Sequence, residues 1–164
     1  MTEQAGSAKL PGETCTIRRA NLADLAGLVL LEQTCFAMPW SEQSLRQELA
    51  DNPAARCLVA EAPDGFLAGY VAYWSVLDEG QVTNLAVHPA WRRRGIGRRL
   101  LLAMISLAAA EHLSGLVLEV RAGNQAARGL YESVGFQPIG QRKEYYANNR
   151  EDAIIMFKNI NGLS

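Results

Sequence analysis

The chain holds three groups of residues whose types and spacing suit chemistry. The first is His88 to Arg98, reading His-Pro-Ala-Trp-Arg-Arg-Arg-Gly-Ile-Gly-Arg, between a strand pattern and a helical one. The opening N–H groups of a helix have no intrahelical partner and lie at the positive end of its dipole. Gly95 and Gly97 would let an anion reach that backbone, with Ile96 opening the helix between them, and Arg93, Arg94 and Arg98 add positive charge. This turn suits a pyrophosphate. A tight turn followed by a solvated basic helix end accounts for the same residues. Gly95-x-Gly97 lacks the third glycine of a dinucleotide fingerprint, and no Gly-Lys-Ser/Thr follows for a Walker-type loop.

The second group is Leu116-Val-Leu-Glu119-Val-Arg121. A carboxylate inside an apolar strand is costly unless it is paired or used. In use, burial would raise the pKa of Glu119 and make it a base near neutrality. Paired, it would meet Arg121, because residues two apart on a strand point the same way. The third group is Asn124 to Phe136. Asn124 and Tyr131 stand nearly two helical turns apart and can face one ligand. Equally, Asn124 can be an N-cap and Tyr131 a core residue.

These groups need elements to position them. Cys15–Arg18 reads as a strand, and Asn21 as the cap of a helix running through Leu25, Leu28 and Glu32. Met38-Pro39-Trp40 breaks that helix, and Ser41 caps a second. Strands 56–62 and 66–76 meet at the turn Pro63-Asp64-Gly65, and strand 81–87 follows. A helix opens near Gly97, then come strand 116–121 and helix 124–134, with Gly135 as its natural stop. Residues 136–146 and 153–158 read as a closing antiparallel pair. The order β-α-α-β-β-β-α-β-α-β-β implies an α/β fold with a mixed, mostly antiparallel sheet and helices on both faces.

The chain has 164 residues, 49% hydrophobic and 20% charged, with a net charge of −1. That fits one domain, expected over residues 14–160, after a loose tail at 1–13. The composition excludes a disordered or collagen-like chain. No apolar run is long enough to span a bilayer and no secretory signal opens the chain, so no membrane role and a cytoplasmic place are expected. Cys15, Cys35 and Cys57 are too scattered for a zinc site or a disulfide framework, and no metal is expected. Residues 91–99 hold five arginines and no acid, which leaves a net of −6 on the rest. That acidic body argues against nucleic-acid binding.

The pattern Arg92-x-x-Gly95-x-Gly97 resembles the acyl-coenzyme A loop of the GCN5-related N-acetyltransferases (GNAT). The resemblance extends over roughly Thr14 to Phe157. Five further segments carry it: 36–41, 84–87, 118–124, 130–136 and 150–156. Together they resemble the branch that acetylates the N-terminal alanine of a ribosomal protein, small-subunit protein number eighteen.

The resemblance implies a sheet splayed between its fourth and fifth strands, with acetyl-coenzyme A as co-substrate. It implies Glu119 as proton acceptor for the substrate amine and Tyr131 as proton donor to the leaving thiolate. The backbone of Leu85, Ala86 and Val87 would pair with the pantetheine arm and supply oxyanion donors. Arg93 to Arg98 would cradle the pyrophosphate, and Asn124 would bind the coenzyme. No acyl-enzyme is needed, so the cysteines have no required role. His88, where an acidic residue is common, reads as a turn residue. A monomer with a ribosomal protein N-terminus as its partner is expected. Asp78, Glu79, Glu144, Glu151 and Asp152 either attract that basic tail or are ordinary solvated charges. The rivals are acetylation of lysine side chains or a small amine, and a non-catalytic acyl-coenzyme A-binding module.

Overall fold

The computed structural model describes residues 15–161. The tail expected at residues 1–13 lies outside them. Strand β1 (Thr16–Arg19) leads through a 3-10 turn (Leu22–Asp24) into helix α1 (Leu25–Cys35), then α2 (Glu42–Ala50). The sheet continues with β2 (Ala55–Glu61), β3 (Leu67–Val76) and β4 (Glu79–Val87). Helix α3 (Ile96–Ala110), β5 (Gly115–Arg121), α4 (Gln125–Ser133), β6 (Gln137–Arg142) and β7 (Ala153–Asn159) complete it. All seven strands form one sheet in the order β1-β2-β3-β4-β5-β7-β6. Every neighbouring pair is antiparallel except β4–β5.

The central strands are buried on both faces: Leu58, Val59 and Ala60 in β2, and Leu67 through Val71 in β3. Such continuous burial needs helices on each side. On one side Leu25, Leu28 and Leu31 of α1 and Leu45 of α2 cover Val59, Tyr70 and Ala86. On the other, α3 buries Ile96, Leu100, Leu101, Met104, Ile105 and Ala108 against Val71, Tyr73 and Leu116. That stripe follows the helical period.

The expected single helix from Asn21 is split. Asn21 and Asp24 form a capping box around the 3-10 turn, and α1 starts only at Leu25. Asp24 is also gripped by Arg18, through contacts of 2.8 and 2.9 Å. The Arg18 hydrogen bonds hold the Asp24 carboxyl below the usual carboxylate range, outweighing burial, with help from the Asn21 N–H. A depressed folded pKa gives stability that is present above the unfolded value and lost as pH falls through the folded one. Asp24→Asn should therefore cost about 2 kcal/mol at pH 7, or roughly 4–8 °C in Tm. The gap between parent and variant should close in melts at strongly acidic pH.

The last strand pair is shorter than the sequence suggests. β6 stops at Arg142 rather than Tyr146, because Glu144 takes a left-handed φ of 51° and turns the chain out of the ladder. A loop follows, closed by Tyr146 N–H to Glu151 O at 3.1 Å and Arg150 N–H to Tyr146 O at 2.8 Å.

Candidate active site

The parallel pair is the structural origin of the site. β4 and β5 are in register only from Glu79–Gln81 against Gly115–Val117. Beyond that the two strands separate, so the upper half of each has an unpaired edge facing the gap. A bulge bends β4 at the same place: Ala72 lies opposite Asn84, but Tyr73 lies opposite Val82, leaving Thr83 over.

Ladder alternation decides which β4 groups face the gap. His88 N–H donates to Ala68 O at 2.8 Å, so that pair is hydrogen-bonded. Residues opposite each other in an antiparallel ladder alternate in this respect. Ala86 therefore exchanges its bonds with Tyr70, whereas the backbone of Leu85 and Val87 points away from β3. The Val87 carbonyl is met from that side by Arg92 Nε at 3.0 Å and Cys35 Sγ at 3.5 Å. Among the three β4 residues expected at the coenzyme, Ala86 has its backbone committed to the sheet.

A cleft of about 530 Å³ runs from this edge to the start of α3. It is lined by Leu85, Ala86, Val87, Arg93, Gly95, Ile96, Gly97, Arg98 and Asn124. Arg94 is not among the lining residues; its guanidinium sits 5.1 Å over the Trp91 ring. Gly95 caps α3 with φ 77°, and a side chain there would meet only open space. Among the described residues, the backbone N–H groups of Gly95, Ile96, Gly97 and Arg98 donate to no backbone acceptor. Four free donors at a helix start beside arginines fit a pyrophosphate. Gly97 has a second task. A Cβ there would lie 3.0 Å from Leu130 of α4, so the glycine lets the two helices close on the cleft. The Arg98 guanidinium reaches the end of α4, at 3.2 Å from Ser133 O and 3.1 Å from its Oγ. Asn124 caps α4 through Oδ1, 3.1 Å from Ala127 N, which leaves its amide nitrogen for the cleft. His88 is a turn residue as expected, its Nδ1 accepting from Ala90 N at 3.1 Å.

Glu119 stands on β5, across the gap from β4, and Tyr131 on α4; neither is among the residues that line the cleft. Glu119 does not pair with Arg121. Its carboxylate is 2.9 Å from Arg142 Nε on β6, and its proximity raises the pKa of the Tyr145 phenol. Arg121 instead lies 3.4 Å from Glu151, with its guanidinium 3.9 Å from the Tyr146 ring centre. Glu119 and Arg121 share one strand face, as their i, i+2 spacing requires, but each finds its opposite charge on a neighbouring segment. Tyr131 is 8% exposed and stacks edge-on to Phe136 at 5.7 Å. Burial pushes its phenol up to about 12, and the nearby Tyr146 adds to the rise. The proton is thus held throughout the neutral range. Tyr146 also feels the charge of Glu119, so it is the neighbour these two residues share.

The acidic residues offered for a basic tail are largely committed to structure. Glu151 accepts from Gly123 N at 2.8 Å, and Asp152 from Gln141 Nε2 at 2.6 Å and Glu144 N at 2.8 Å. Asp78 takes the Ser114 hydroxyl at 3.2 Å. The sequence reading missed Cys35, Phe36, Trp91 and Leu130 in the cleft wall, and Glu32 behind it. The signal for Glu32 was present: it is a carboxylate in the apolar run Leu28-Val-Leu-Leu31, the same anomaly that drew attention to Glu119.

The comparisons with known proteins agree with this geometry. The family described as Acetyltransferase (GNAT) matches residues 25–136. A Bacillus subtilis protein, provisionally named a [ribosomal protein bS18]-alanine N-acetyltransferase, is 41% identical over 88% of this chain and 95% of its own. The Escherichia coli [ribosomal protein bS18]-alanine N-acetyltransferase is 40% identical over 86% of this chain and 95% of its own. The crystal structure of the E. coli ribosomal-protein-S18-alanine N-acetyltransferase superposes with a TM-score of 0.81, covering 89% of this chain and 94% of that one. A spermidine/spermine N-acetyltransferase from Vibrio cholerae shares the fold, at a TM-score of 0.76 and 22% identity over 91% of this chain and 94% of its own. With its splayed parallel pair, its glycine-arginine helix start and these relatives, the chain belongs to the acetyltransferase (GNAT) family, whose members are acetyl-coenzyme A-dependent N-acetyltransferases.

Proposed function

We propose that this protein acetylates the α-amine of the N-terminal alanine of ribosomal protein bS18. The observation that carries the reading is about 40% identity, over nearly the whole chain, to relatives named for that reaction. The acetyl group comes from acetyl-coenzyme A, which supplies an activated thioester. The chain's own residues do the rest. The cleft binds the coenzyme, with its phosphates at Gly95–Arg98 and its pantetheine arm along Leu85 and Val87. Glu119 takes the proton of the substrate ammonium, because only the neutral amine can attack. The Leu85 and Val87 backbone, turned to the gap, orients the acyl carbonyl. Tyr131 gives a proton to the departing sulfur. Support for these roles comes from the free helix-start donors, the open β4 edge and the high pKa of the Tyr131 phenol. The working unit is taken as residues 14–160, acting as a cytoplasmic monomer without nucleic-acid contact.

The test is intact-mass detection of acetylation on a bS18 N-terminal peptide. One acetyl group on the peptide with a free alanine, and none when that amine is blocked, is the expected result. Mass gain on the blocked peptide, or on spermidine alone, would overturn the N-terminal reading. The coenzyme site has its own test. Gly97→Val, which crowds Leu130 and narrows the cleft, should weaken acetyl-coenzyme A binding at least about tenfold in calorimetry. Parental affinity would remove the helix start from the binding site.

A further inference from the structure

Glu32 has no part in the proposed chemistry, yet its side chain is fully buried at 0% exposure. An isolated buried carboxylate is costly, and here three donors converge on it. Oε1 accepts from the Tyr70 hydroxyl and from Asn84 Nδ2 at 2.9 Å, and Oε2 accepts from the Trp40 backbone N–H at 3.0 Å. The donors belong to β3, to β4 and to the loop between α1 and α2. Asn84 immediately precedes Leu85, whose backbone faces the gap. The loop begins at Phe36, which lines the cleft together with Cys35. The loop starts beside Val87, where Cys35 Sγ meets the carbonyl, and runs back to Trp40, which Glu32 ties to the level of Asn84. The helix start follows Val87, so the later part of the loop borders the other end of the β4 edge, the end left for an acceptor amine.

Phe36 and Trp40 pack against the core at the two ends of the loop, but the backbone between them has few polar ties. Pro39 has no N–H, and Met38 is 63% exposed. Among the described residues, the Trp40 bond to Glu32 is the one backbone hydrogen bond made by residues 37–40. We propose that Glu32 is a positioning residue, whose carboxylate clamps the α1–α2 loop to β3 and β4 and so fixes the acceptor wall of the cleft. The proposal rests on the acetyl-transfer reading for the identity of the acceptor end.

Glu32→Gln keeps the length of the side chain but turns one oxygen into a donor. With its carbonyl oxygen on Tyr70 and Asn84, its NH₂ faces the Trp40 N–H and the loop is released. The expected result is a KM for the bS18 peptide raised about tenfold, with the KM for acetyl-coenzyme A within about twofold and the pH profile of kcat unmoved. Tyr70→Phe removes a strand donor and leaves the loop bond, so its peptide KM should stay within about twofold. An unchanged peptide KM in Glu32→Gln would overturn the clamp. So would a fall in kcat with a displaced pH profile at constant KM, which would make Glu32 a proton acceptor. Hydrogen exchange on the parent chain supplies a readout that needs neither variant nor acceptor. The Trp40 amide should exchange at least about tenfold more slowly than its sequence would in an open loop. Exchange at the open-loop rate overturns the clamp even if the variants do not fold. Failure of the parent to acetylate the peptide would overturn the bS18 reading instead, and the Trp40 amide would still decide the clamp.

Discussion

Tyr131→Phe is expected to lower turnover by roughly 10²–10⁴ while leaving the protein folded. The substitution removes one hydroxyl and keeps the ring, so the edge-on contact with Phe136 survives. The Tyr131 hydroxyl makes no hydrogen bond to another described side chain, so little structure depends on it directly. If Tyr131 is the acid that meets the departing sulfur, the loss falls on kcat and not on the KM of either substrate. Because burial has pushed the phenol up to about 12, the parent should show no decline from its ionisation until the medium approaches that value. Single-turnover rates measured from neutral to alkaline pH check both statements. An unchanged rate in the variant, with chemistry shown to be limiting, would remove Tyr131 from the mechanism.

Glu119→Gln should give the other large loss, and its signature differs. An α-amine has a pKa of about 8, so near neutrality much of it is protonated and needs a base. The variant should be slowest near pH 7, by roughly 10²-fold or more, and should recover partly as rising pH deprotonates the amine unaided. Coenzyme binding should persist, since the cleft lining does not include Glu119. The structure also supplies a control. Glu119 is paired with Arg142, whose side chain is 56% exposed, and such a pair adds little stability. Arg142→Ala breaks the pair but leaves the carboxylate. If Glu119 acts only through that pair, Arg142→Ala should reproduce the loss and neither variant should change the pH profile. If Glu119 is the base, Arg142→Ala should retain most of the rate and only Glu119→Gln should alter the profile.

Much of the scaffold was legible from local rules. The cap at Ser41, the turn at Pro63-Asp64-Gly65 and the stop at Gly135 each rest on a few adjacent residues, and each is where those residues required. The helix start at Gly95–Gly97 was legible for the same reason. Its donors are free because any helix leaves them free. The second role of Gly97 was not legible, because Leu130 comes close only when α3 and α4 fold together. Strand ends were read less well than strand centres. The segment reads as strand through Tyr146, but the left-handed Glu144 and the Asp152 carboxylate that takes its N–H end the ladder at Arg142.

Partner choice divides the two levels most sharply. Apolar period, caps and glycines act over a few residues, so the sequence alone determined the order of elements, the mixed sheet with helices on both faces, and the glycine-arginine turn that opens α3. Long-range ion pairs and buried hydrogen bonds depend on which strands become neighbours. β6 and β7 lie beside β5, so Glu119 meets Arg142, and the loop between them brings Glu151 to Arg121. The separation of β4 from β5 after three residue pairs left the upper edge of β4 open to the cleft. Glu32 is the clearest case. Its burial could be read as an anomaly in an apolar helix, but its three donors lie 8, 38 and 52 residues away along the chain. Only the closed tertiary structure could bring them to one carboxylate, because no local periodicity relates an α1 side chain to β3, β4 and the next loop.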